Sequence, residues 1–195
     1  ETMADTKTVL LCGVGGQGTI LAADLLAHAA LAAGRDVKVS EIHGMAQRGG
    51  AVSTVVRFGG EVFSMVCDEG GADAVVSFDA MEALRNLAFL AQDGFLLASS
   101  ETILPTAVAC GRAALPPDME GRLAAEGALL IGSRALAEQA GNAKCENTVL
   151  LGALESRLGF GRGLWEEVIA AHVPPKTVEA NLAAFRAGLD FAAGR

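Results

Sequence analysis

Hydrophobic positions along the chain alternate between short continuous runs and longer stretches with helical spacing. Residues 8–12 form an apolar run of strand length and predict a buried parallel strand. A Gly-rich turn follows directly. Residues 19–33 then form an Ala/Leu stretch closed by Gly34, which predicts a helix. Residues 37–41 predict a second strand, so the segment reads as a right-handed βαβ unit in a parallel sheet. Asp24 and His28 lie four apart and share one face of the helix, where His28 is expected to face solvent near its C-terminal end.

Beyond residue 50 the pattern stays mixed. Residues 51–58 predict a strand, Gly59-Gly60 a hairpin turn, and 61–66 an antiparallel return. A strand at 73–78 is followed by a helix at 80–90, a turn at Asp93-Gly94 and a strand at 95–98. Residues 102–110 contain Pro105 and read as β-like, on a sheet edge. Pro116-Pro117 ends that segment. A strand at 129–131, a helix at 133–140 stopped by Gly141, and a helix at 147–158 follow. Gly159, Gly161 and Gly163 mark a loop, and Pro174-Pro175 breaks a short helix at 165–171. Val178, Leu182, Phe185 and Leu189 then form an apolar stripe at helical spacing, with Thr177 as N-cap. The pattern predicts one Rossmann-like α/β domain over 3–195. Its sheet is mostly parallel with some antiparallel strands, its helices cover both faces, and the C-terminal helices from about residue 159 pack on it.

Composition narrows the function classes. The chain has 195 residues, 51% hydrophobic and 19% charged, which suits one compact core. A net charge of −8 with no basic run argues against nucleic acid and against a membrane surface. No apolar run reaches the roughly 18 residues that span a bilayer. The polar start reads as carrying no signal peptide, with Met3 as the natural start, which points to the cytoplasm. The cysteines, Cys12, Cys67, Cys110 and Cys145, are too scattered for an Fe–S cluster or zinc site, so no metal is expected on this chain and the thiols are expected to be free.

Two segments carry candidate chemistry. Gly13-Val14-Gly15-Gly16-Gln17-Gly18 fits G-x-G-x-x-G between a strand and a helix. Such glycines permit a tight turn, close approach of backbone to a pyrophosphate and close helix–strand packing, and the helix start offers N–H groups to an anion. Glu41, roughly twenty residues further on, stands where a dinucleotide-binding fold keeps its ribose acid. These residues alone fit a stand-alone NAD(P)- or nucleotide-binding protein. They equally fit a turn whose glycines serve packing and bind nothing. The second segment, Glu41-Ile42-His43-Gly44-Met45-Ala46-Gln47-Arg48-Gly49-Gly50, groups a carboxylate, an imidazole, an amide and a guanidinium among glycines. It suits an anionic ligand. It also leads into a strand where a dinucleotide fold would place a helix, which weakens the NAD reading.

Together the two segments resemble the gamma-type subunit or domain of the 2-oxoacid:ferredoxin oxidoreductases, and His43 to Gly50 is most like the indolepyruvate (aryl 2-oxoacid) branch. Gly141-Asn142-Ala143-Lys144-Cys145-Glu146-Asn147-Thr148-Val149-Leu150-Leu151-Gly152-Ala153 and Asn181-Leu182-Ala183-Ala184-Phe185-Arg186-Ala187-Gly188 extend the likeness over nearly the whole chain. The resemblance implies a complex that decarboxylates a 2-oxoacid on thiamine diphosphate, passes electrons through Fe–S clusters to ferredoxin, and transfers the acyl group to coenzyme A. Thiamine diphosphate, Mg and the clusters would sit on a large partner subunit. This chain, with no Gly-Asp-Gly and no grouped cysteines, would bind none of them and be inactive alone. By position, Gly13, Gly15, Gly16, Gln17, Gly18, Glu41, Gln47 and Arg48 would form the coenzyme A side of the entrance, and His43 would be the acid or base. Ferredoxins are acidic, so an acidic chain predicts that ferredoxin docks on the partner.

Overall fold

The computed structural model of the chain describes residues 6–43 and 49–195, and of His43 the backbone alone. Strands β1 (Lys7–Val14), β2 (Asp36–His43), β3 (Ala51–Gly59), β4 (Ala72–Ser77), β5 (Leu90–Ser99) and β6 (Leu129–Ile131) form one sheet in the order β2-β3-β1-β4-β5-β6. The β1–β4, β4–β5 and β5–β6 pairs are parallel. β3 runs antiparallel to both β1 and β2. The helices are α1 (Thr19–Ala32), α2 (Ala80–Arg85), α3 (Thr106–Ala109), α4 (Met119–Ala125), α5 (Ser133–Gln139), α6 (Glu146–Leu158), α7 (Arg162–His172) and α8 (Val178–Ala193).

Alternation along β1 divides the core into two layers. Val9 and Leu11 point to the face covered by α1, α6, α7 and α8, while Leu10 and Cys12 point to the face covered by α2 and α4. Trp165 of α7 and Phe185 of α8 are buried in the same cluster as Val9 and Leu11, so the C-terminal helices belong to the central core. Glu155 fastens the α6–α7 turn: its carboxylate accepts from the Gly161 N–H (2.6 Å) and from Trp165 Nε1 (2.7 Å).

Several sequence expectations are corrected. β1 and β2 run the same way but are not neighbours, because β3 lies between them. The hairpin after Gly59-Gly60 does not form. Both edges of β3 are already paired, so residues 61–66 have no ladder to join. They lie outside the sheet, held by Arg57, which donates to the carbonyls of Ser64 (2.9 Å) and Val66 (3.1 Å), and by Asp36, which accepts from the Val62 N–H (2.8 Å). The helix at 80–90 stops at Arg85, where the Asn86 amide donates back to the Glu82 carbonyl (2.8 Å). β5 starts at Leu90 and runs through the expected Asp93-Gly94 turn as an irregularity in its pairing with β4. Residues 102–110 hold the single turn of α3 instead of an edge strand: Pro105 sits at its N-cap, where a missing N–H costs nothing. α4 was not foreseen; Asp118 begins it and accepts from the Gly121 N–H. Thr177 precedes α8 but does not cap it, because its hydroxyl donates to the Pro174 carbonyl. His28 stacks on His172 of α7, with ring centroids 3.8 Å apart, instead of facing solvent alone.

α6 and α8 cross at two glycines. A Cβ on Gly152 would run into the Phe185 carbonyl, and one on Gly188 into the Val149 carbonyl. Neither backbone can yield without separating the helices. Gly188→Ala is therefore expected to cost about 3 kcal/mol. That corresponds to a drop in Tm of roughly 6 to 12 °C by thermal circular dichroism; an unchanged Tm would contradict the contact.

α7 and α8 also meet through Glu166, which accepts from Arg162 (2.7 Å) and Arg186 (2.8 Å). The bonds from Arg186 and then Arg162 hold its carboxyl down to about 2. A depressed carboxylate contributes stability that is complete above its unfolded value and is lost as pH falls through the folded one. The stability gap between wild type and Glu166→Gln, read by urea unfolding, is expected to be widest near neutrality. It should close between about pH 4.5 and pH 2. A gap that is flat with pH would remove the ion-pair account.

Candidate functional site

β1 ends in the Gly loop, and the loop's shape is set from inside. Gln17 is nearly buried, and its amide is engaged at both ends: Oε1 accepts from the Val14 N–H (2.7 Å) and Nε2 donates to the Phe78 carbonyl (2.8 Å). It thereby bridges the ends of β1 and β4. Gly13 leaves room for this bridge, since a Cβ there would lie 2.8 Å from Gln17 Oε1 and 3.0 Å from Phe78 Cβ. Gly16 and Gly18 turn the chain with φ of 109° and 81°, the left-handed region that favours glycine.

The second loop fastens the outside. The Gly15 N–H donates to the Gly50 carbonyl (2.9 Å), and the Gly49 N–H donates to the Gly15 carbonyl (3.5 Å). His43 pairs with Val52, and Val52 with Gly13, so β2 also ends beside the loop. The His43 side chain, Gln47 and Arg48 lie outside the described residues.

Beside the Gly loop lies a cavity of about 380 Å³, lined by Gly15, Gly16, Gly18, Thr19, Ile20, Glu41 and Val52. Among the described residues no side chain caps the N-terminus of α1, which opens here, so the N–H groups of its first turn and its positive dipole end suit an anion. Thr19 is buried beside them, and its hydroxyl has no hydrogen-bond partner among the described residues. Glu41 lines the opposite wall. It is not placed as the ribose acid of a dinucleotide fold, because β3 separates its strand from β1 by about 5 Å per strand spacing.

Of the sequence candidates, the structure brings together Gly15, Gly16, Gly18 and Glu41 at the cavity and turns Gly13 and Gln17 to its supports. Thr19, Ile20, Val52 and Asn147 were not singled out. Thr19 carried a signal, as a hydroxyl directly after the last glycine at a helix start. Asn147 packs on Gly18 from α6, a contact between distant segments that no local pattern announces.

No cysteine or lysine lines the cavity among the described residues. The Cys12 thiol behind the loop is pushed up to about 12 by burial. All four cysteines are free, and among the described residues no group of three or more His, Cys, Asp or Glu is placed to hold a metal ion. Asp79, at the end of β4, accepts from the N–H groups of Met81, Glu82 and Ile103. The arrangement is suited to binding by main-chain donors.

Comparison with known proteins extends this picture. The family Pyruvate ferredoxin/flavodoxin oxidoreductase matches residues 8–191. The chain is 40% identical over 193 residues to the indolepyruvate oxidoreductase subunit IorB of Thermococcus kodakarensis, covering 93% of each. The gamma subunit of a keto/oxoacid ferredoxin oxidoreductase from Geobacter sulfurreducens has the same fold, with TM-score 0.73, 23% identity, and 97% of this chain and 99% of that one covered. A 2-oxoglutarate:ferredoxin oxidoreductase from Magnetococcus marinus, solved with 2-oxoglutarate, coenzyme A and succinyl-CoA bound, contains the fold with TM-score 0.71 and 20% identity, over 100% of this chain and 32% of that one.

Removing the internal bridge should unfasten the loop. Gln17→Ala leaves the Val14 N–H and the Phe78 carbonyl buried without partners, at about 1–3 kcal/mol each. Chemical denaturation is expected to show a loss of at least about 2 kcal/mol, and wild-type stability in that variant would mean the bridge contributes nothing.

Proposed function

The chain belongs to the pyruvate ferredoxin/flavodoxin oxidoreductase family, and from that premise we propose that it is the cofactor-free subunit of an aryl 2-oxoacid:ferredoxin oxidoreductase of the indolepyruvate type. The assembled enzyme would convert an aryl 2-oxoacid and coenzyme A to the aryl-acetyl-CoA and CO2, with two electrons passing to ferredoxin. The observation that carries this reading is the 40% identity to an indolepyruvate oxidoreductase subunit over 93% of both chains.

Thiamine diphosphate with Mg, and Fe–S clusters, do not fit this chain: its thiols are scattered, two of them buried, and no acidic cluster is placed for a metal among the described residues. Decarboxylation needs an electron sink, which the cofactor supplies. It would belong to a larger partner subunit, on which ferredoxin would also dock, in the cytoplasm.

This chain's share of the reaction is to receive coenzyme A. The uncapped start of α1 and the main-chain groups of Gly15, Gly16 and Gly18 favour an anionic group. Gln47 and Arg48 would add an amide and a guanidinium from the second loop, and Glu41 would accept from a hydroxyl. His43 is the one candidate for proton transfer.

Anaerobic purification of the chain from its native host, with cofactor analysis of what co-elutes, tests the assignment. The expected result is a large partner carrying thiamine diphosphate and Fe–S absorbance, active on aryl 2-oxoacids only when both chains are present. In that complex His43→Gln should lower turnover more than it lowers assembly. A chain that elutes alone and cofactor-free, and binds NAD, would replace this reading by that of a stand-alone nucleotide-binding protein.

A further inference from the structure

Three buried polar side chains lie together in the otherwise apolar packing of α6 and α8. Asn147, Thr148 and Asn181 are 2%, 0% and 5% exposed. The Asn147 amide nitrogen points to the Gly18 carbonyl at 3.5 Å, and a Cβ on Gly18 would lie 3.1 Å from that nitrogen, so the amide lies flat against the last glycine of the loop. The Thr148 hydroxyl has one proton. The 2.6 Å separation from Asn181 Oδ1 takes it there, while Asn147 Oδ1 is 3.4 Å away. Asn181 Nδ2 donates in turn to the Thr177 carbonyl (2.9 Å), where α8 begins.

An aliphatic side chain would fill the same space without the cost of burying an amide. What it could not do is donate to Gly18. That carbonyl already accepts the first helical bond of α1, from the Ala22 N–H (3.0 Å). Its orientation therefore fixes the direction of the first-turn N–H groups that face the cavity.

We infer that Asn147 is a positioning residue for the anion-receiving Gly loop, acting through Gly18. The inference rests on the reading of that loop as the element that receives coenzyme A. It makes the C-terminal helix pair part of the site's support, through one residue that need not touch the ligand.

The test uses the assembled complex, with saturating aryl 2-oxoacid and coenzyme A as the varied ligand. Asn147→Ala and the isosteric Asn147→Asp are each expected to raise KM for coenzyme A by about tenfold, the worth of one hydrogen bond to a ligand-orienting group. kcat should stay within about twofold. Trp165→Phe removes a buried bond to Glu155 elsewhere in the core, so it should lower Tm without moving KM. Equal KM shifts in the Asn147 and Trp165 variants, or none in either, would overturn the inference, because Asn147 would then be merely structural. Gly16→Val separates the two levels. If it raises KM while the Asn147 variants do not, the loop reading stands and the inference fails. If it too leaves KM unchanged, the loop reading fails and the inference fails with it.

Discussion

The antiparallel insertion of β3 between β1 and β2 is the constraint on which the site depends. It fills both edges of β3, so nothing can form a hairpin with it, and it moves β2 to the outer edge of the sheet. Because β3 runs back alongside β1, its first residues arrive at the end of β1, where the Gly loop starts. Gly49 and Gly50 are thereby delivered onto Gly15. In a parallel arrangement of β1 and β2, the second loop would follow a strand beside the first, and the two main chains would have no reason to bond. Two loops that are distant along the chain become one cradle through the direction of a single strand.

That geometry also decides between chemistries. A dinucleotide fold sets its acidic residue on the strand next to β1, within reach of a ribose bound at the Gly loop. Here Glu41 keeps its place in the chain but sits one strand further out. The glycine pattern serves here as a main-chain device, and the strand placement of Glu41 departs from the arrangement of a dinucleotide fold. What lines the cavity, among the described residues, includes the uncapped start of α1, three glycines and Glu41.

Much of this was legible in the residues. The apolar runs at 8–12 and 73–78 and the stripe from Val178 to Leu189 follow burial because the strands are covered on both faces and the helix packs one face on the core. The Gly loop was legible because φ values such as those of Gly16 and Gly18 select glycine. Legibility failed where a long-range partner decided. Residues 61–66 alternate like a strand, yet only an edge can turn such a pattern into one, and no local signal tells that β3 has none. Gln17 looked like a ligand contact because polar residues in Gly loops often are. Its inward turn depends on Phe78, which lies just past the end of β4. Asn147 was hidden for the same reason, its meaning lying in contact with Gly18.

A site that binds through main-chain groups has to hold its main chain still. Main-chain donors aimed at an anion act through direction, and direction is lost if the loop relaxes. Each support of the loop is a hydrogen bond to a main-chain group: Gln17 to Val14 and Phe78, Gly50 to Gly15, and Asn147 to Gly18. Two of these supports are side-chain amides sheltered from water, where competition from solvent is weak and an unmade bond is costly. The loop is therefore rigid before any ligand or partner arrives, and a ligand that binds it has less ordering to cover. The Gly loop is thus a surface shaped by its own supports.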